Sequence, residues 1–408
     1  MKYFLYLVLF IPVTFASDHD VDGNAEVAER IAKIRKELSQ ANIGFAVGLY
    51  KKIVLKDSES QHNHFFSPVS ISSAFSMLSL GAKSATHKQI TEGLHLNRTQ
   101  LNERDIHEAF EHNIRSLNQP KDDLLVNIGN ALFLDKNMSL LNSFEEDAQR
   151  YYNAEILTAN FKNIEGVEKL INDYVQNKTK GKIKELVKDL DKRALMVVVN
   201  YILFKGEWIN PFNPLFTQTH NFSVDEKTKV KVPMMSRIGL YKILLDPQLP
   251  CIVIELPYKG QASMLLVIPE LGKIHEVEEA LSPETISRWK NSTKQRIIDL
   301  RVPKFSIGSS IDLKEIISDM GMADVFSILA DFSGITSDVK LVLSKAVHKA
   351  VLDVDEKGTE AAAATEIEAV FTALFPTHRV DRPFLLMICD QETDSILFMG
   401  RVINPVEK

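Results

Sequence analysis

Histidine and acid crowd together in His107-Glu108-Ala109-Phe110-Glu111-His112, the composition of a helical zinc motif. A zinc pair on one helix face needs its second histidine four residues on, and that position is Glu111. His112 is rotated off the face, so the segment reads as a solvated helix face and no metal is expected. No Gly-x-Ser-x-Gly turn lifts a serine nucleophile, no glycine-rich loop follows a strand, and no CxxC occurs. His348 stands in the apolar run Ala346-Val-His-Lys-Ala-Val-Leu, where a hydrogen-bonded core histidine is expected. The chain therefore reads as a protein without catalytic chemistry, metal or cofactor of its own. A nucleic-acid partner would need a basic field, and the net charge is −6.

Residues 353–382 carry the strongest signal. Gly358 is followed by Thr359, Glu360 and four alanines, Ala361, Ala362, Ala363 and Ala364. Their local propensity is helical. Thr365, Ile367 and Ala369-Val-Phe371 instead favour extension, and Pro376 breaks any helix. Conflicting local signals predict a segment able to exist in two states. Extended, it has a clean two-residue period. Thr359, Ala361, Ala363, Thr365, Ile367 and Ala369 share one face without a charge, while Glu360, Glu366 and Glu368 share the other. A slip of one residue would bury three carboxylates at several kcal/mol each. From Thr359 to Thr372 the extended chain spans ~48 Å, long enough to cross a large sheet.

The elements that would hold such a segment are legible around it. Val27, Ile31, Ile34 and Leu38 recur at helical spacing. Ser67 can cap a helix that starts at Pro68 and ends at Gly81, and Ser282-Pro283 opens another. Helical patterns continue to roughly residue 180. From Met196 the run Met-Val-Val-Val-Asn-Tyr-Ile-Leu-Phe reads as a central strand. Further strands are expected over 251–256, 264–268, 297–302, 384–388 and 396–402, and Ile298-Asp-Leu-Arg-Val suits a sheet with one wet face. Helices first and strands later predict an α+β body.

Residues 1–16 read as a signal peptide cleaved after Ala16, which predicts a secreted, extracellular protein and no membrane span. Secretion gives meaning to five glycosylation sequons, at Asn97, Asn137, Asn177, Asn221 and Asn291. The two cysteines, Cys251 and Cys389, could form a disulfide, but both end apolar strand-like runs and a core of this size does not need one.

Glu356-Lys-Gly-Thr-Glu-Ala-Ala-Ala-Ala closely resembles the hinge of inhibitory serpins. Matching motifs run in order along residues 40–405. They are Phe65-Phe-Ser-Pro-Val-Ser-Ile, Asn200-Tyr-Ile-Leu-Phe-Lys-Gly-Glu-Trp208, Val232-Pro-Met-Met, Lys345-Ala-Val-His-Lys-Ala-Val-Leu and Leu397-Phe-Met-Gly-Arg-Val-Ile-Asn-Pro. The nearest branch is similar to plasma alpha-1-antitrypsin and antichymotrypsin. The resemblance implies a single α+β domain over 40–408, after an extension over 17–39. It would have about eight to nine helices, three β-sheets and an exposed reactive-centre loop at about 356–382.

The resemblance also implies a monomeric serine protease inhibitor acting as a suicide substrate. A protease attacks the loop, forms an acyl-enzyme ester and is carried away as the loop inserts into the main sheet. Counting from Gly358 and back from Pro383 places the scissile bond at Thr372–Ala373, which suits an elastase-like target; attack at Phe371 would suit a chymotrypsin-like one. Ser67, Ser70, Asn200 and His348 match a polar cluster where sheet strands part. Trp208 matches the aromatic where the loop inserts, and Glu356 with Lys304 a salt bridge at the hinge. Two other readings stand beside this one. A non-inhibitory hormone carrier would use a pocket near a helix and the second sheet that includes Trp289. A glycosaminoglycan-activated inhibitor would use Arg288, Lys290, Lys294 and Arg296, where a glycan on Asn291 would intrude.

Overall fold

The structure is a computed structural model that describes residues 19–56, 62–119, 123–359 and 375–407. The signal-peptide segment 1–16, the residues 360–364 of the hinge and the bond Thr372–Ala373 lie outside the described residues. Among those described, nine helices form: α1 His19–Lys56, α2 Pro68–Gly81, α3 Ser84–Gly93, α4 Glu103–Asn118, α5 Asn142–Tyr152, α6 Ile164–Lys178, α7 Ile274–Glu279, α8 Pro283–Ser292 and α9 Leu313–Asp319. The first five strands are β1 His64–Phe66, β2 Leu124–Asp135, β3 Glu155–Ala159, β4 Met196–Glu207 and β5 Gln218–Ser223. Then come β6 Lys229–Leu245, β7 Cys251–Pro257, β8 Ala262–Pro269, β9 Lys294–Pro303 and β10 Phe305–Asp312. The last are β11 Lys345–Val354, β12 Gly358–Thr359, β13 Thr377–Arg379, β14 Phe384–Asp390 and β15 Ile396–Val402.

The α+β expectation holds. Strands join in two hydrogen-bonded networks because the long β6 belongs to two sheets at once. Its first part pairs β5, its last residues pair β7, and β9 runs along both. One of these sheets is β5, β6, β9 and β13; the other runs β6-β7-β8-β14-β15-β1. The third sheet is β10-β11-β4-β2-β3, with β12 added against β4. One core fills the space between it and the β6-to-β1 sheet, with Ile202, Phe204, Leu352 and Val354 meeting Leu256, Met264 and Leu386. On its other face Val199, Tyr201 and Phe133 pack against α6 through Val167 and Ile171. Burial on both faces explains why β4 is apolar nearly throughout.

Four local expectations change. The helical reading of residues up to 180 fails at β2 and β3, because Asn127, Gly129 and Asn130 weaken a helix there and β4 offers an eleven-residue antiparallel ladder. His107 is buried and not on a solvated face, since α4 packs on α5 and its Nδ1 meets the Tyr152 hydroxyl at 2.5 Å. The wet face expected at Ile298–Val302 is partly covered, and Asp299 is nearly buried in a pair with Arg301. The amphipathic helix is also longer than its apolar spacing indicates: α1 passes through residue 39 without a break and buries Ile34 and Leu38 in the core. Cys251 and Cys389 are buried free thiols, both pushed up in pKa by burial, to about 12 and about 11.

Candidate functional site

β4 and β11 are parallel neighbours, but their ladder covers only Val197–Tyr201 against Lys345–Lys349. Above it β11 remains fully paired on its outer side, from Phe305↔Val354 to Asp312↔Val347. The inner edges of β4 and β11 instead part around a narrow cleft. Ile202, Leu203 and Phe204 line one wall, Val351 and Asp353 the other, with Thr179, Lys182 and Ile183 alongside and Thr359 at the top.

The chain bends back into this opening. After β11, a turn is closed by Asp355 N–H to Gly358 O at 2.9 Å. β12 then lies antiparallel to β4, with Gly358↔Glu207 and Thr359↔Gly206. Gly358 has φ +144°, and a Cβ there would stand 2.0 Å from the Gly206 carbonyl, so only glycine fits. Thr359 is buried and its hydroxyl lies 3.2 Å from the Tyr258 hydroxyl. Lying opposite Gly206, it shares the face of Phe204 and Ile202, which is the core face.

Trp208 closes this upper end. It stacks on Tyr258 at 4.1 Å, and its indole N–H donates to the Asp355 carbonyl at 3.0 Å. Its backbone N–H bonds the Lys357 carbonyl at 2.7 Å. Beside it, Lys304 Nζ donates to Glu356 Oε2 at 2.8 Å and the Thr217 hydroxyl donates to Glu356 Oε1 at 2.8 Å. Burial opposes ionisation of Glu356, yet hydrogen bonds from Lys304, from its own backbone N–H and from Thr217 outweigh it and hold the carboxyl below its ordinary pKa.

The lower end of the seam is tied by a buried polar cluster beneath the ladder. Ser67 N–H donates to His348 Nε2 at 3.0 Å, so the neutral ring carries its proton on Nδ1, which donates to Asn200 Oδ1 at 2.9 Å. The Ser70 hydroxyl donates to the same oxygen at 2.7 Å. Asn200 Nδ2 donates to the Ser70 carbonyl and to Asn130 Oδ1, each at 2.9 Å. Asn130 in turn donates to the Ser73 hydroxyl at 3.2 Å. Full burial drives His348 down to a pKa of about 3, so it stays uncharged.

The structure thus brings Ser67, Ser70, Asn200 and His348 into one network, and Trp208, Lys304, Glu356, Gly358 and Thr359 into another. Sequence reasoning missed Asn130, Ser73, Thr217 and Tyr258. Two of these had a signal: Ser70, Ser73, Ser76 and Ser79 recur every three residues along a helix whose one other polar side chain is Ser72, and Asn130 interrupts a mostly apolar strand. The five sequon asparagines are all exposed. Of the four basic residues on and after α8, Arg288 is bonded to the buried Asp246 at 2.9 Å and Lys290 to Asp394, which leaves a smaller positive field than the spacing suggests. Trp289 is fully buried and donates to Asp246. It does not line the cleft at the end of α8, whose lining includes Lys242, Glu255, Leu265, Lys290, Cys389, Asp390 and Asp394. Among the described residues no helix is long and apolar enough to cross a membrane, and no group of histidine, cysteine and acid could hold a metal.

Residues 40–405 match the protein-family profile Serpin (serine protease inhibitor). The chain is 45% identical over 370 residues to alpha-1-antiproteinase of Rattus norvegicus, which covers 91% of this chain and 90% of the relative. To alpha-1-antichymotrypsin of Homo sapiens it is 46% identical over 374 residues, covering 90% and 88%. The solved structure of human thyroxine-binding globulin superposes with a TM-score of 0.87 at 42% identity, covering 92% of this chain and all of that one. A parted β4–β11 seam beneath a glycine-led hinge, and likeness along almost the whole chain, carry one conclusion: the chain belongs to the serpin family, on its alpha-1-antiproteinase and antichymotrypsin branch.

Proposed function

We propose that the protein is a secreted inhibitor of a serine protease, cleaved as a suicide substrate at Thr372–Ala373, whose severed loop becomes a new strand between β4 and β11. One observation carries this reading. Gly358–Thr359 already sits against β4 as the first two residues of an antiparallel strand, above a cleft where β4 and β11 are unpaired.

Continuing that register sets Ala361 opposite Phe204 and Ala363 opposite Ile202, both on the core face. Thr365, Ile367 and Ala369 follow on the same parity, and Glu360, Glu366 and Glu368 turn away from the core. Each added residue exchanges water for ladder hydrogen bonds that both strand edges now lack, which supplies a downhill path once the loop is cut. The acyl-enzyme ester on Thr372 travels with the strand. A small β-branched residue at that position supports an elastase-like target, and Phe371 a chymotrypsin-like one.

The likeness to a thyroxine-binding protein favours a second reading, a small-ligand carrier. The cleft at the end of α8 weighs against it. Five charged side chains, Lys242, Glu255, Lys290, Asp390 and Asp394, line that cleft, and the Lys290–Asp394 pair lies among them, so an apolar ligand would desolvate charge on binding. Incubation with a panel of elastase-like and chymotrypsin-like proteases, followed by denaturing gels, tests the proposal. An inhibitor gives a band at the summed mass that survives detergent. Cleavage at the loop without that band, for every protease, defeats it.

A further inference from the structure

We propose that the 3₁₀ turn Pro214–Phe216 is a second contact for the attacking protease, an apolar exosite at the root of the bait loop; this rests on the inhibitory reading. Leu215 is 84% exposed and Phe216 49% exposed, the former the most exposed large apolar side chain among the described residues. Adjacent apolar residues left in water on a surface mark a recognition site when the backbone beneath them is rigid.

Here it is rigid. Asn213 caps the turn, its Oδ1 accepting from Leu215 N–H at 3.0 Å, and Phe216 N–H returns to the Asn213 carbonyl at 2.9 Å. Pro214 pre-sets the first position. The flanking residues clamp the turn to the hinge: Phe212 N–H donates to the Glu356 carbonyl at 2.6 Å and Thr217 to the Glu356 carboxylate. Neither Leu215 nor Phe216 is needed to hold these bonds, because both contribute only backbone groups to them. The turn therefore presents two preorganised side chains at little ordering cost.

Position selects the occupant. The described chain stops at Thr359 and resumes at Phe375 before β13, and the turn adjoins the first of these anchors through the bonds of Phe212 and Thr217 to Glu356. It opens directly into β5, which is three strand spacings, about 14 Å, from β13 through β6 and β9. A protease gripping a bond in the bait segment needs a footprint of about 800 Å² on the inhibitor, a patch roughly 30 Å across. A patch of that size that takes in the hinge residue Glu356 also takes in the turn bonded to it.

The test compares wild type with Leu215→Ser/Phe216→Ser, using whichever panel protease gives the detergent-stable band with wild type. Two rates are read: covalent capture, and binding of the same protease with its nucleophilic serine replaced by alanine. The expected result is about a tenfold loss in both capture rate and affinity, with the number of inhibitor molecules consumed per protease and the melting temperature unchanged. Equal rates and affinities overturn the exosite while leaving the inhibitory reading intact. A wild type that captures no protease overturns both. Wild type sedimenting as a dimer that the double variant abolishes would assign the turn to a second copy of the chain, and also overturns the exosite.

Discussion

The two ends of the β4–β11 seam are built from opposite materials. The lower end is closed by a ladder of five residue pairs and a buried network through Ser67, Ser70, Asn130, Asn200 and His348. The upper end is held apart by a wedge of two residues, an aromatic stack and an ion pair with one wet partner, Lys304 being 45% exposed against 11% for Glu356. A network of that kind is all or nothing, because removing any member strands buried donors. The wedge is different, since its ladder is only two residues long and its ion pair reaches water. The contrast teaches where a new strand can start and what must yield for it to travel.

The largest expected effect ends the contrast altogether. If the proposed mechanism holds, cleavage at Thr372–Ala373 should let a new strand run down the whole seam, adding on the order of ten ladder hydrogen bonds at roughly 1 kcal/mol each. Calorimetry should show the melting temperature rising by roughly 10 °C or more. A nicked protein that melts with the intact one would sink the insertion mechanism.

Next comes the lower lock. Asn200→Ala leaves the His348 N–H and the Ser70 hydroxyl without the oxygen they share, inside a dry site. A loss of about 3–5 kcal/mol in urea unfolding is expected, with loop–sheet polymers on native gels after mild heating. A loss below about 1 kcal/mol would mean that the network does not close the seam.

Acid should pick the same lock. His348 has a folded pKa of about 3 against an ordinary 6.5. Its folded value is depressed, so below pH 6.5 the unfolded chain binds the proton and the native one does not. The stabilisation is complete above pH 6.5 and drains away as pH falls towards 3, by about 3 kcal/mol at pH 4. Urea midpoints measured from pH 7.5 to 4 should carry this slope in wild type and lose that component in His348→Gln. Identical slopes in the two proteins would contradict it.

The upper end should respond least. Glu356→Lys sets two cations together and takes an acceptor from Thr217, for about 1–2 kcal/mol, discounted because water reaches Lys304. The wedge loosens, and polymers should form on mild heating although less stability is lost than in Asn200→Ala. Lys304→Glu added to Glu356→Lys should restore the monomer; polymers that persist in the double variant would show that the pair does not hold the hinge.

Much of the upper site was legible in the sequence because it is local. Gly358 needs a conformation that only glycine adopts easily, and the charge-free parity from Thr359 to Ala369 is a two-residue period that a reader can count. The late strands were legible too, since β-rich runs between turn residues carry their own signal. Less was legible where long-range pairing overruled local preference. β2 looked helical until β4 supplied its ladder, and His107 looked solvated until α5 covered it.

Alternation, glycine position and motif order, all properties of neighbours along the chain, were determined by the sequence alone, and they sufficed for the α+β class, the family and the strand-forming potential of the hinge. Only tertiary structure decided that β4 and β11 part above Tyr201, that Asn130 joins the lock, and that Leu215 and Phe216 stand in water beside the hinge. The reason is physical: hydrogen-bond satisfaction and exposure depend on partners hundreds of residues away, and no local period encodes them.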